Sequence, residues 1–349
     1  MRLADHTTLR LGGPARRFVR AGTEKDLIEA VRAADSGGEP VLILGGGSNL
    51  VVADEGFDGT VIQVATTGVR HDAGLVTAAA GEDWDAVVAR TIAAGLAGLE
   101  CLSGIPGRVG ATPIQNVGAY GQEVADTITA VRTYDRVTGQ TSIIPNERCG
   151  FGYRTSVFKR DDAGRHVVLS VTFRLAVQPV SMPVRYAELA GALGVAPGDR
   201  AASARVRSAV IELRRGKGMV IDAADPDTRS VGSFFVNPVL DASALAAVEA
   251  AARARCRPGT RVPRFEVAGS GGGLVKVPAA WLIEQAGFGK GYNPGDGARI
   301  SAKHTLALVN AGTASTAALL ALARQIRDGV RDAFGVSLAP EPVLVGVTL

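Results

Sequence analysis

Apolar residues recur along this chain at two spacings, near four and near two, and the switches between them mark out its elements. Thr23 stands three residues before Asp26, and Leu27, Ile28 and Val31 follow at helical spacing. That pattern predicts a helix opened by a capping box. Pro40 closes the connector, 41–44 predicts a short buried strand, 50–53 is another apolar run, and 61–64 predicts a further strand. A second unit starts near Thr66. Here 75–80 predicts a strand, and Asp83 caps a helix over 84–94 that Gly95 stops. The runs 130–134 and 141–144 predict a hairpin turned near Thr138-Gly139, followed by a strand over 167–177. A proline-containing connector, 178–183, opens a third unit, and 200–215 reads as linker and helix entry. Ser203 starts that helix, with Val206, Val210, Ile211 and Leu213 on its buried side. Helices are predicted over 241–254 and 314–334, a terminal strand over 343–347, and a flexible loop at AGSGGG, 268–273. No repeat of 20–50 residues is present.

Composition narrows the class. At 349 residues with 46% hydrophobic and 21% charged side chains, the chain reads as globular and soluble, with two or three domains. A net charge of +4 favours a small anionic ligand over nucleic acid. The basic groups at 205–207 and 214–217 both suit a solvated helix face, and at 205–207 that reading is kept. Cys101, Cys149 and Cys256 show no paired spacing, which fits a reducing compartment. MRLADHTTLRLGG carries no signal-peptide core, and no run reaches a membrane span, so a cytoplasmic location is expected. The four histidines, at 6, 71, 166 and 304, are isolated, so no metal site is expected; a GxSxG nucleophile turn is absent.

The chemistry concentrates in a few segments. SGIPGRVGATPIQNVGAYG, 103–121, holds five glycines, two prolines and one charge, and builds neither an ordinary helix nor a strand. Ile105 and Ile114 offer apolar contact, and Thr112, Gln115 and Asn116 offer hydrogen bonds. Ordering so long a loop is costly, which points to a flat bound ring cofactor. Gly45-Gly46-Gly47-Ser48-Asn49 follows a buried strand and suits an anion-binding turn, though it matches neither the dinucleotide fingerprint nor the P-loop. Together the two loops suit the pyrophosphate and ring of one extended dinucleotide.

Three side chains stand out beside them. In GSFFVNP, Phe234 and Phe235 alternate if extended, so one packs inward and Ser233 points the other way as a proton donor. In PEP, two prolines fix the backbone around Glu341 and aim its carboxylate. Arg154 lies among Phe151, Tyr153 and Phe158, as a cation–π partner or an oxyanion-stabilising group.

LGGGSN (44–49), IPGRVGATPIQNVGAYG (105–121), FGYRTSVF (151–158), GSFFVNP (232–238), WLIEQAG (281–287) and PEP (340–342) occur in one order across nearly the whole chain. In this the chain resembles the flavin-dependent UDP-N-acetylenolpyruvoylglucosamine reductases, the MurB family of peptidoglycan precursor synthesis. The resemblance implies an α+β chain: a p-cresol methylhydroxylase (PCMH)-type FAD-binding fold of two subdomains plus a third, α+β substrate-binding domain. The corresponding boundaries are 1–65, 66–200 with a tyrosine loop near 180–190, 201–335, and a C-terminal strand at 336–349 carrying Glu341.

It further implies noncovalent FAD, NADPH as reductant, and hydride passing from flavin N5 to the enolpyruvyl methylene carbon, giving UDP-N-acetylmuramate. Ser233 then matches the proton donor, and Arg154 and Glu341 the pair that polarises the substrate carboxyl. The cofactor-binding positions implied are Gly45, Gly46, Gly47, Ser48, Asn49, Ile105, Pro106, Gly107, Gly110, Ala111, Thr112, Gln115, Gly118, Ala119 and Val168. Those implied for the UDP-sugar are Tyr186, Arg214, Lys217, Asn237, Lys276 and Gln285. A monomer is expected, with no nucleic-acid or membrane partner.

Overall fold

The chain is described at residues 1–267 and 273–349 in a computed structural model. The loop expected at 268–273 lies, apart from Gly273, outside the described residues. The chain divides into two compact units. The first comprises Met1, Ala15–Gly47 and Phe57–Val220; the second comprises Arg2–Pro14, Ser48–Gly56 and Ile221–Leu349. This division does not follow the boundary read at 201: the helix that Ser203 opens packs within the first unit, through Val206 and Val210 against Leu189, Leu193 and Cys101.

The first unit begins with a parallel three-stranded sheet in which Phe57–Val64 lies between Ala15–Ala21 and Val41–Leu44. Helix α1, Glu24–Ser36, links the two outer strands and buries Leu27 and Val31 with Ala21 and Ile62. Its start is the capping box: Thr23 accepts from the Asp26 amide, and Asp26 accepts from the Thr23 amide. An antiparallel sheet follows, in the order Gln140–Pro145, Ile128–Asp135, His166–Arg174, Leu75–Ala79, Val69–Asp72. Helix α2, Trp84–Ala93, is capped by Asp83 and lays Trp84 against Phe173, ring centroids 5.8 Å apart. Helices α3, Ala187–Leu193, and α4, Ser203–Gly216, complete the unit. The single strand expected over 167–177 is broken at Leu175, whose amide turns to the Gly74 carbonyl; Ala176–Val177 pairs with Leu96–Ala97 instead. The arginines at 205–207 are only partly a solvated face: exposed Arg205 donates to the Leu193 carbonyl, and half-buried Arg207 donates to Asp85.

The second unit pairs Ser230–Ser233 with Ala307–Asn310, which also pairs with Ala298–Ile300. A smaller sheet runs Val239–Asp241, Leu274–Lys276, Phe265–Glu266, and Leu50–Val52 lies parallel to Val343–Val345. Helix α5, Ala242–Arg255, is capped by Asp241, and α6 spans Ala279–Gln285. Helix α7, Thr316–Phe334, buries Leu319, Leu322, Ala323, Ile326 and Val330 at helical spacing. Its first-turn amides at Thr316 and Ala317 donate to the two carboxylate oxygens of Asp54, at 2.8 and 3.0 Å. No described helix is long and apolar enough to cross a membrane.

Candidate active site

The glycine-rich loop of the first unit is ordered by the protein itself. The Gly107 carbonyl accepts from the Trp84 amide at 3.1 Å, and the Val109 amide donates to the Glu82 carbonyl at 3.0 Å. The Gly110 amide donates to the Ala80 carbonyl at 2.8 Å, and the Thr112 hydroxyl to the Val109 carbonyl at 2.8 Å. These bonds tie the loop to the start of α2 and offset the ordering cost that sequence reasoning assigned to a ligand. They also engage the Gly110 amide and the Thr112 hydroxyl. A Cβ on Gly110 would stand 2.6 Å from that of Ala80, so this glycine serves packing.

The two glycine-rich loops meet. A Cβ on Gly46 would lie 2.8 Å from the Gly107 Cα, so the backbones pass with no room for a side chain. Ile105, Ile114, Val117 and Ala119 are half-buried along the same loop. Bare backbone beside apolar side chains is the surface a flat, diphosphate-bearing cofactor requires, and these residues fit FAD. Val168 is buried in the core of this unit, on the strand that pairs it with Thr133.

Arg154 sits on a tight turn. Gly152 and Thr155 exchange amide–carbonyl bonds at 3.0 and 3.2 Å, leaving Tyr153 and Arg154 at the tip, with Arg154 at φ 54°. Its guanidinium donates to the Gly118 carbonyl at 2.6 Å and lies 5.7 Å from the Tyr153 ring centroid. The guanidinium thus keeps the cation–π contact to Tyr153 while bonded to the main chain. Phe158 packs elsewhere, edge-on to His166.

Tyr120, Tyr186, Arg214 and Lys217 form a second cluster in this unit. Tyr186, just before α3, meets Tyr120 edge to face at 5.5 Å. Lys217 donates to Glu188 at 2.7 Å and lies 5.6 Å from the Tyr120 ring centroid. Arg214, in the last turn of α4, is only 9% exposed. One of its nitrogens donates to the Met219 carbonyl at 2.9 Å, while its buried Nε has no partner among the described residues. Burial pushes its guanidinium down to about 10, outweighing the upward pull of Tyr120 and Asp85, and the Arg154 charge adds a smaller push downward. Burial pushes the Tyr120 hydroxyl up to about 12. Asp85 holds the base of this cluster, accepting from Arg207 at 2.6 and 2.7 Å and from the Gly104 amide at 2.6 Å. Burial works against the Asp85 carboxylate, yet these donors hold it below its ordinary value. Sequence reasoning passed over Asp85, which there is one acid in the first turn of a helix.

In the second unit Ser233 ends its strand, paired with Ala307. The Phe234 amide donates to the Leu306 carbonyl, and the Phe234 carbonyl accepts from the Glu341 amide, both at 2.8 Å. The Glu341 carbonyl accepts from the Asn49 amide group at 3.4 Å, and the Asn49 carbonyl from the Val343 amide at 2.9 Å. Ser233 and Glu341 thus sit on adjoining backbones, with Glu341 fixed on both sides as well as by Pro340 and Pro342. The expected alternation of Phe234 and Phe235 is overturned: they are 0% and 1% exposed, rings 5.1 Å apart. Gly232, at φ 74°, ends the regular pleat just before them, so strand period no longer applies. Asn237 accepts the first amide of α6 at 2.9 Å, and Gln285 is the last residue of that helix. Lys276 pairs with Val239 and Phe265 in the small sheet.

Comparison with known proteins follows the same division. A family model described as "FAD binding domain" matches residues 15–143, and one described as "UDP-N-acetylenolpyruvoylglucosamine reductase, C-terminal domain" matches 225–345. The chain is an α+β oxidoreductase with a PCMH-type FAD-binding fold. It is 57% identical to the UDP-N-acetylenolpyruvoylglucosamine reductase of Saccharopolyspora erythraea, over 99% of this chain and 95% of the relative. The same-named protein of Thermobifida fusca is 54% identical, over 99% and 97%. The crystal structure of the Thermus caldophilus enzyme (MurB) aligns with a TM-score of 0.67 at 28% identity, over 99% and 97% of the two chains. The chain belongs to the UDP-N-acetylenolpyruvoylglucosamine reductase family.

Proposed function

We propose that this protein reduces the enolpyruvyl group of UDP-N-acetylenolpyruvoylglucosamine to give UDP-N-acetylmuramate, with NADPH as reductant, as a cytoplasmic monomer serving peptidoglycan precursor synthesis. Bound FAD would supply the hydride chemistry that links NADPH to the enolpyruvyl methylene carbon. Hydride addition leaves negative charge spread from the adjacent carbon onto the substrate carboxylate. Arg154 disperses that charge and Glu341 holds the carboxyl end in orientation. Ser233 gives its proton to the adjacent carbon; a serine is a weak acid, but a carbanion-like centre is a strong base, and a dry site favours the transfer. Arg214 and Lys217 suit the diphosphate, Tyr186 covers the sugar nucleotide, and Asn237, Lys276 and Gln285 complete its contacts. Gly45–47, Ser48, Asn49, Ile105, Pro106, Gly107, Ala111, Gln115, Gly118, Ala119 and Val168 are assigned to the cofactor.

One observation carries this reading within a chain 57% identical to a named reductase: the 2.8 Å bond from the Glu341 amide to the carbonyl of Phe234, the residue after Ser233. It holds the residues assigned as proton donor and carboxyl-orienting group on neighbouring, hydrogen-bonded backbones. The test is spectral and kinetic. The purified protein should be yellow, bleach with anaerobic NADPH, and recover colour on adding the UDP-enolpyruvyl sugar. Ser233→Ala should keep the bleaching step and slow recovery about 10²–10³-fold. A variant that fails to bleach yet recovers normally would refute the role given to Ser233.

A further inference from the structure

We propose that Asn116 is the positioning residue for Arg154, a role that rests on the reading of Arg154 above. The two residues share an unusual backbone state. Asn116 and Arg154 have φ of 47° and 54°, the left-handed region that side chains other than Asn, Asp and Gly seldom enter. Asn116 is 1% exposed, and both the nitrogen and the oxygen of its side-chain amide are engaged. Its amide nitrogen donates to Glu123 at 2.7 Å and to the Gly152 carbonyl at 3.0 Å. Its side-chain oxygen accepts the Ala125 amide at 3.1 Å, which fixes the orientation of the group. Gly152 is the base of the turn that presents Arg154. The Asn116 main-chain carbonyl, in turn, accepts an Arg154 nitrogen at 3.4 Å, beside the 2.6 Å bond to Gly118. One residue therefore grips both ends of the Arg154 unit: the turn beneath and the guanidinium above. Gly118 belongs to the same clamp, since a Cβ there would meet Glu123 at 2.8 Å and the Arg154 guanidinium at 3.1 Å.

Asn116 holds the turn through side-chain donors that a cavity-filling residue would lack, while its main-chain carbonyl meets the guanidinium, so loss of the side chain should shift the turn and with it the cation while leaving most of the fold intact. Misplacement of about 1 Å in a catalytic group costs on the order of 10²-fold in rate.

The experiment is a double-mutant cycle on the holoenzyme with Asn116→Gly, which keeps the left-handed backbone, and Arg154→Lys. Asn116→Gly should lower kcat about 10–100-fold with KM for the UDP-enolpyruvyl sugar moving less than about threefold. The double variant should be no slower than Arg154→Lys alone. Losses that multiply would overturn the proposal, because independent effects add in free energy. Hydrogen exchange of the Thr155 amide, read on the cofactor-free protein, should rise about tenfold in Asn116→Gly; unchanged exchange would also overturn it. Full kcat in Arg154→Lys would instead sink the role of Arg154, and the exchange reading would then decide the positioning claim alone. If Asn116→Gly fails to fold, Asn116→Asp serves: it tolerates the same φ, keeps the acceptor for Ala125, and loses both donors.

Discussion

Arg214 is buried as a cation with one carbonyl bond and no ion pair among the described residues. Such a group costs stability in the free protein. Replacing it by Met removes the charge at similar volume. The fall of its proton affinity from 12.5 to about 10 corresponds to roughly 3 kcal/mol, at about 1.4 kcal/mol per tenfold change. Loss of the bond to the Met219 carbonyl offsets about 1 kcal/mol of this. Arg214→Met should therefore stabilise the substrate-free protein by about 1–2 kcal/mol, a rise of about 2–6 °C in melting temperature.

The pH dependence has a definite sign. A base whose folded value lies below its unfolded value carries its penalty in full below the folded value and sheds it above. The gain of Arg214→Met should thus be constant from pH 7 to 9 and shrink above about pH 10. Fluorescence melts across that range, with Trp84 and Trp281 as reporters, read it directly. The same variant should raise KM for the UDP-sugar about 10–100-fold, the worth of a charged hydrogen bond. A variant melting more than about 2 °C below the parent at pH 7 would refute the argument, because the guanidinium would then be held by a partner that outweighs its burial.

Two further outcomes test the supports around the site. Gly46→Ala should cost about 1–3 kcal/mol and lower flavin content, because its methyl meets the Gly107 backbone at 2.8 Å; visible absorbance per mole of protein checks it. Asp227 accepts from Arg299, from Ser301 at 2.9 Å and from the Ala302 amide at 3.0 Å, three residues before the strand that ends in Ser233. Burial pushes its carboxyl up, but the Ser301 and Arg299 donors outweigh it and hold the value below 3.8. A lowered carboxylate stabilises above its unfolded value and loses this as pH falls through the folded one. Asp227→Asn should destabilise by about 3 kcal/mol at pH 7, with the deficit shrinking below about pH 4; urea midpoints at both pH values decide.

Local chemistry was the legible part of this fold. Capping by Thr23 and Asp83 and the glycine turn at 139 follow from side chains within one turn of the feature they control. What the pattern missed depends on distant partners. Helices α3 and α6 span only two turns each, too short to show a period. The contacts of Arg207 cross 122 residues to Asp85, and no local rule distinguishes that arginine from its solvated neighbours.

The glycine-rich loops show where local reading reaches its limit. Glycine marks places where something comes close, and the sequence leaves open what comes close. At Gly46 it is the Gly107 backbone, at Gly110 it is Ala80, and at Gly118 it is Glu123 with Arg154. A loop built to hold a ring must first be held itself, and most of these glycines serve that prior task. These three glycines each answer to a different protein neighbour. A substitution at any one of them should therefore disturb loop order before it disturbs chemistry. Flavin loss and lower melting temperature should move together at Gly46 and Gly110, whereas at Asn116 and Ser233 kcat should fall with the colour retained.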